Sequence, residues 1–214
     1  MPGVLVAIAS IARPPSRHEA WLLLAIVIAA LIASGIAPKD RLTWFMEVVW
    51  VIAALPLVVL AWRRFPLTRL LCWLLAAHAL VLIYGGAYTY SETPLGFWLR
   101  DTLGLMRNPW DRVGHFMQGF VPAILARELL LRLTPLQRGG WLVYLVLAAA
   151  LSFSALFELI EWWAALFYGA QADAFLATQG DVWDTQWDMF LCLCGAALSL
   201  LVWSRMHDRQ LGLQ

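Results

Sequence analysis

Residues 20–38, 70–91 and 139–157 each run without a single Asp, Glu, Lys or Arg. Each is as long as the roughly 20 apolar residues that a helix needs to cross a hydrocarbon core about 30 Å thick. A chain with such runs folds in lipid, where backbone polar groups must be satisfied within the segment, and runs of this length are helices. The composition agrees: 62% of residues are hydrophobic and 14% charged, against about 45–50% and about 25% in soluble domains. A disordered chain, a collagen-like chain and a soluble enzyme are excluded, and 214 residues leave room for one integral-membrane domain, 1–214. The net charge of +1 offers no nucleic-acid footprint.

Three shorter runs, 48–62, 113–126 and 189–204, become spans only if flanking charges are drawn into the helix. The middle one reaches only about 21 Å at 1.5 Å per residue, and its extension takes Asp111 and Arg112 to the hydrocarbon edge. The expected architecture is therefore all-α and polytopic, a bundle of about six transmembrane helices at 20–36, 43–62, 68–85, 110–131, 141–166 and 184–204. Arginines concentrate in the even-parity segments (Arg13, Arg17, Arg63, Arg64, Arg69, Arg127, Arg132, Arg138, Arg205, Arg209) rather than the odd ones (Lys39, Arg41, Arg100, Arg107, Arg112), which places both termini in the cytoplasm. A cleaved leader ending at the small residues Ala33-Ser-Gly35 is the rival reading of the first segment. Trp21, Trp44, Trp62, Trp110, Trp141, Trp183 and Trp203 fall at expected helix ends, as interfacial belts do. In the one long connection, 86–109, Thr93-Pro94 has the form of a helix start and Leu95, Trp98, Leu99 and Leu103 recur at helical spacing, so a short helix lies on the outer surface.

Cys72, Cys192 and Cys194 sit in apolar runs; the latter two face opposite ways on a helix and cannot share a metal. The chemistry-bearing residues are Asp111, Arg112, His115, Glu158, Glu161, Asp181, Asp184 and Asp188, all at the outer ends of the last three expected helices. Asp111 and His115 are i, i+4; Glu158 and Glu161 are i, i+3; Asp181, Asp184 and Asp188 follow i, i+3, i+7, so each set shares one helical face. Charge at a bilayer edge costs up to about 2.5–3.5 kcal/mol per Asp at the centre, so these acids must be hydrated, protonated, paired with Arg112 or bound to a cation. Oxygen donors with one imidazole suit a divalent metal: Mg²⁺, Mn²⁺, Ca²⁺ or, less naturally, Zn²⁺. In that reading Asp111, His115, Asp181, Asp184 and Asp188 are ligands, Glu158, Glu161 and His115 ligand or acid–base residues, and Arg112 an anion clamp.

The plainer readings stand beside it. Asn108-Pro109-Trp110-Asp111 is a helix start whose acid caps its own helix, and Thr178 to Asp181 has capping-box spacing. Glu128 with Arg132 reads as a surface i, i+4 pair, His78 as a core histidine, Glu47 as joining the acids or snorkelling, and His18 and His207 as tail residues without partners. Gly114, Gly119 and Gly195 read as sites of close helix approach.

Three segments, Arg107-Asn-Pro-Trp-Asp-Arg-Val-Gly-His-Phe-Met-Gln-Gly-Phe120, Phe157-Glu-Leu-Ile-Glu-Trp-Trp163 and Gln179-Gly-Asp-Val-Trp-Asp-Thr-Gln-Trp-Asp-Met189, resemble the YjdF family of bacterial inner-membrane proteins over nearly the whole chain. The resemblance implies a multi-pass protein of the bacterial inner membrane. More distantly the chain is similar to VanZ-like proteins: Asp111, Arg112 and His115 match that family's acid-basic-x-x-His element and Glu158 its later Glu. Glu161 stands where Gln is expected and Asp188 where Asn is expected. VanZ-like proteins are associated with glycopeptide-antibiotic tolerance and the cell envelope, so this likeness implies a lipid or lipid-linked substrate. The leading expectation is a membrane hydrolase or transferase; the alternatives are a cation- or proton-coupled transporter and a non-catalytic scaffold. Membrane lipids are the expected partners.

Overall fold

The computed structural model describes residues 12–213; residues 1–11, the start of the leader weighed above, lie outside them. Six long helices form, close to the expected places: α1 (Arg17–Ile36), α2 (Arg41–Ala61), α3 (Arg69–Tyr88), then the short α4 (Pro94–Leu103), α5 (Trp110–Leu133), α6 (Gly140–Tyr168), the one-turn α7 (Asp173–Leu176) and α8 (Asp184–Gln210). Side-chain caps start the first three: Ser16 accepts from the Glu19 N–H, Asp40 from Thr43 and Thr68 from Leu71, each satisfying a donor that the first helical turn leaves open. The surface helix α4 begins with Pro94 in its first turn and ends on Gly104, in the left-handed conformation that glycine adopts without a Cβ clash. It exposes Leu95, Trp98 and Leu103, as a helix at a bilayer interface does.

Among the described residues, five stretches are long and apolar enough to cross a membrane: Arg17–Ile36, Arg41–Ala61, Arg69–Tyr88, Gly140–Leu176 and Asp184–Gln210. This corrects the expectation of six. The helix that falls out is α5, which carries Asp111, Arg112, Arg127, Glu128 and Arg132. It is as long as a span, and α3, α6 and α8 pack around it, with thirteen of its 24 residues buried. The charges are tolerated because they meet other polar groups inside the bundle.

The α5–α8 pair is the most extensive helix contact in the molecule. A Cβ on Gly119 would lie 1.7 Å from the Cys192 carbonyl oxygen, and one on Gly195 would lie 2.1 Å from that of Phe116. The two backbones therefore touch reciprocally, the small-residue packing anticipated from the sequence. Behind them Ala123, Val146, Ala150, Cys192 and Ala196 close the core with α6.

At the end of the bundle that holds both ends of the described chain, a second polar layer forms, and it overturns two sequence readings. Glu128 and Arg132 are completely buried instead of forming a surface pair, and His207 is buried between partners. The last helix runs to Gln210, beyond the expected 204, because its polar final turn joins this layer. Arg127 donates from Nη1 to His207 Nδ1 at 2.9 Å and from Nη2 to Asp208 at 2.6 Å. A guanidinium only donates, so the imidazole proton sits on Nε2, where it is given to Glu128 Oε2 at 3.0 Å. Glu128 also accepts from the Thr68 hydroxyl at 2.7 Å and from Arg132 at 2.6 Å, tying α3, α5 and α8 together. The Arg13 N–H donates to the Gln210 carbonyl at 2.9 Å, so the start of the described chain and the end of α8 lie at this same face.

Two stability outcomes follow. Gly119→Ala is expected to destabilise the purified protein by about 1–3 kcal/mol or more, whereas Gly140→Ala, whose added methyl would meet nothing within 4 Å, leaves the melting temperature unchanged. Glu128→Ala removes the carboxylate facing three donors and is expected to cost about 3–5 kcal/mol, read by thermal unfolding in detergent; a loss under 1 kcal/mol would return the pair to the surface reading.

Candidate metal centre

At the opposite end of the bundle from the Glu128 layer, α5, α6 and α8 bring their acids together. The start of α5 explains why Asp111 is available. Asn108 Oδ1 accepts the Trp110 N–H at 3.1 Å, while the Asn108 side-chain amide donates to the Thr93 carbonyl at 3.0 Å. Asn108 thus serves the first turn, and Asp111 turns inward, to 4% exposure, instead of capping its own helix. The capping-box reading of Thr178 and Asp181 also fails: Asp181 instead accepts the Trp183 N–H at 2.9 Å, a turn that leads into α8.

One carboxylate oxygen each from Asp111 and Asp188 and one ring nitrogen of His115 lie within 4.8 Å of one another, all on buried residues. His115 Nε2 is 3.6 Å from Asp111 Oδ1 and 3.9 Å from Asp188 Oδ2, beyond hydrogen-bond range. Its other nitrogen, Nδ1, is 3.1 Å from the Gln118 amide oxygen. An amide oxygen can only accept, so Nδ1 carries a proton, and Nε2 faces the two carboxylates. A second-partner hydrogen bond of this kind is what orients a metal-binding imidazole. Glu158 Oε1 stands 3.8 Å from Nδ1. Two acceptors in the cluster, Asp188 Oδ1 and Glu158 Oε1, have no hydrogen-bond partner among the described residues, although these side chains are only 1% and 8% exposed. Buried unpaired carboxylate oxygens are costly and call for a proton or a cation.

The remaining expected site residues take other positions. Arg107 pairs with Asp184, reaches Asp111 at 3.3 Å and donates to the Ala177 carbonyl at 3.0 Å. Arg112 pairs with Asp181 and stacks its guanidinium 5.3 Å from the Trp187 ring centroid. Asp181 and Asp184 are therefore arginine partners and do not belong to the Asp111–His115–Asp188 trio. Glu161 joins Glu47 and Tyr90 along the wall of an adjoining groove. Tyr90 is wedged where glycines leave space: a Cβ would come within 2.3 Å of its ring at Gly85 and within 2.7 Å at Gly114. Arg107, Gln118 and Tyr90 were not singled out from the sequence. Arg107 had a signal, since it stands four positions before Asp111, but it precedes the helix start and was counted as a loop charge.

The groove has a volume of about 880 Å³ and runs from Glu47, Asp111, His115 and Glu161 past His78 to Trp62 and Arg63. α2 packs on α3, on α7 and, through Trp50, on Phe153 and Phe157 of α6, and the groove lies between α2 and the facing sides of α1, α3 and α5. Most of its wall is aliphatic or aromatic.

Asp181, in the turn outside the spans, has its carboxyl held below the ordinary range, first by the Trp183 N–H and then by the Arg112 and Arg107 guanidiniums. A lowered pKa contributes stability that is present above the unfolded value, near 3.9, and is lost as pH falls through the folded one. The stability gap between the wild type and Asp181→Asn is expected to be widest near neutrality and to close below about pH 4. Melting curves across that range check it; a gap that widened on acidification would contradict the assignment.

The comparisons with known proteins agree with this architecture. Residues 19–209 match the family model described as "Predicted membrane protein (DUF2238)". The chain is 51% identical over 181 residues, 85% of its own length and 87% of the relative's, to the inner membrane protein YjdF of Escherichia coli (strain K12). No solved structure matches. With five apolar spans and this relationship, the protein is an integral, multi-pass inner-membrane protein, and the chain belongs to the DUF2238 family of membrane proteins.

Proposed function

We propose that this protein is a divalent-cation-dependent membrane hydrolase or transferase acting on a phosphate or ester of a lipid or lipid-linked envelope compound. The observation that carries the reading is His115 Nε2 set between Asp111 and Asp188 at distances too long for hydrogen bonds. The donor set, two carboxylates and an imidazole with Glu158 alongside, suits Mg²⁺, Mn²⁺, Ca²⁺ or Zn²⁺. Such an ion polarises a phosphoryl or carbonyl oxygen and lowers the pKa of bound water.

The chain's own groups have distinct parts. Gln118 fixes the His115 tautomer, and Arg107 holds Asp184 and Asp111 in place. Glu158, with its unpaired oxygen, is the acid–base group within reach of the centre, and Arg112, shared with Asp181, is placed to meet an anionic substrate. We place both termini in the cytoplasm, from the arginine distribution, so the centre lies on the periplasmic side of a single membrane domain. A transport pathway is less well supported: His78, whose Nε2 lacks a partner among the described residues, is one polar group in a largely apolar wall, whereas a proton relay needs a chain of them.

Elemental analysis of detergent-purified protein tests the reading. The wild type is expected to hold about one divalent metal per chain and Asp111→Ala, His115→Ala and Asp188→Ala to lose it, with Asp184→Asn retaining most of it because Asp184 serves Arg107. A wild type that stays metal-free after incubation with each of the four ions sinks the proposal.

A further inference from the structure

We propose that the end of the groove away from the acids is a binding site for an anionic phospholipid, with the phosphate between Arg17 and Arg63 and one acyl chain lying in the apolar part of the bore. The inference goes beyond the cation reading and stands without it, since it uses no residue of the Asp111–His115–Asp188 trio.

The charged residues of the groove wall sort to its two ends. Glu47, Asp111 and Glu161 line one end, and Arg17 and Arg63 the other. Arg17 opens α1 and Arg63 follows α2, on the side of the bundle that holds the Glu128 layer. Trp21 and Trp62 line the same end, the residue type that sits at headgroup level. Around them Arg69 is compensated by Glu19 at 2.7 Å, Arg127 by Asp208 at 2.6 Å and Arg132 by Glu128 at 2.6 Å. Arg17 and Arg63 are exposed and pair with no acid among the described residues. Two uncompensated guanidiniums at the mouth of an apolar bore complement a phosphate that carries a hydrocarbon chain, whereas the acid end repels one.

The length of the bore fits one ordinary acyl chain. On α2 the wall from Trp62 through Val58, Leu55 and Ala54 to Val51 is apolar, about 16 Å at 1.5 Å per residue. On α3 the apolar stretch is bounded by His78, nine positions past Arg69 and so about 14 Å along the helix. One leaflet of a hydrocarbon core is about 15 Å deep, half of roughly 30 Å. A chain anchored at Arg17 and Arg63 therefore fills the apolar wall from its own leaflet and stops where His78 and Glu47 begin the polar half. It enters sideways from the bilayer. Both α1 and α2 lean chiefly on α3, the Trp44 indole ties them to each other through Ser34 at the far end, at 2.9 Å, and on the rim nearer the arginines Trp21 and Val59 are 67% and 48% exposed.

Native mass spectrometry of the full-length protein tests this with three probes: dioleoyl phosphatidylglycerol, dioleoyl phosphatidylethanolamine, whose ammonium offsets its own phosphate, and glycerol phosphate, which lacks the chains. The wild type is expected to bind one phosphatidylglycerol at least about tenfold more tightly than either other probe. Arg17→Gln combined with Arg63→Gln is expected to erase the preference for the anionic head. Ala54→Trp and, one turn along the same wall, Val58→Trp are expected to release the lipid by filling the bore. Arg64→Gln, on an exposed arginine outside the groove, and Leu57→Trp, on a residue 66% exposed and outside it, leave binding unchanged. Every variant is expected to melt as the wild type does in lipid-free detergent, which separates loss of the site from loss of the fold.

Equal binding of phosphatidylethanolamine, a preference that survives loss of both arginines, undiminished binding in both groove variants, or a second copy of the chain seated in the groove would overturn the inference. So would a loss in Arg64→Gln as large as in the double variant, which would assign the effect to the general positive charge of this face. The two readings fail separately. A metal-containing wild type without lipid preference removes the lipid site alone. A metal-free wild type that still prefers phosphatidylglycerol, and loses the preference without Arg17 and Arg63, removes the centre and keeps the lipid site.

Discussion

Backbone contact between α5 and α8 at Gly119 and Gly195 is the constraint on which the other features depend. With no side chain between them, the helices touch carbonyl to Cα, and the residues above and below are drawn to the same close distance. One direction along this seam leads to Asp111, His115 and Asp188; the other leads to Arg127, Glu128, His207 and Asp208. A helix pair separated by ordinary side chains at about 8–10 Å would hold neither cluster together.

The two clusters use α5 for opposite ends. In the terminal layer nearly every donor meets an acceptor: Glu128 is shared by Thr68, Arg132 and His207, and Arg127 bridges His207 to Asp208. Such a layer locks helices in register. In the other layer two carboxylate oxygens, Asp188 Oδ1 and Glu158 Oε1, are left without a partner among the described residues. Native structures rarely leave buried polar groups incomplete, and this asymmetry, rather than acidity itself, is what supports the cation reading proposed for the Asp111 end. Arginine pairing adds to the contrast, since Arg107 and Arg112 neutralise Asp184 and Asp181, Arg107 also reaches Asp111, and Asp188 pairs with neither.

Much of this was legible in the chain. Apolar runs of the length of a bilayer placed the helices to within a few residues, and helical spacing put Asp111 with His115 and Asp184 with Asp188 on common faces. The family resemblance rested on three polar segments that the comparisons bear out. Spacing along one helix says nothing of what faces it from another. The Glu128–Arg132 pair has the same i, i+4 signature whether it points to water or into a bundle, and only the packing of α3 and α8 over it shows which. His207 stood in what read as a tail, because its partners lie some eighty positions away.

By itself, then, the sequence determined that this is a multi-pass, all-helical membrane protein whose ionisable residues gather at helix ends, since hydrophobic length and the cost of charge in lipid are properties of local composition. Tertiary structure decided which of those residues matter together. It gathered Asp111, His115 and Asp188 into one trio, buried the Glu128 layer, packed α3, α6 and α8 around the charged α5, and left a groove between α2 and the facing sides of α1, α3 and α5. These outcomes depend on distances between helices, and those are set by glycine contacts and packing that a one-dimensional pattern does not contain.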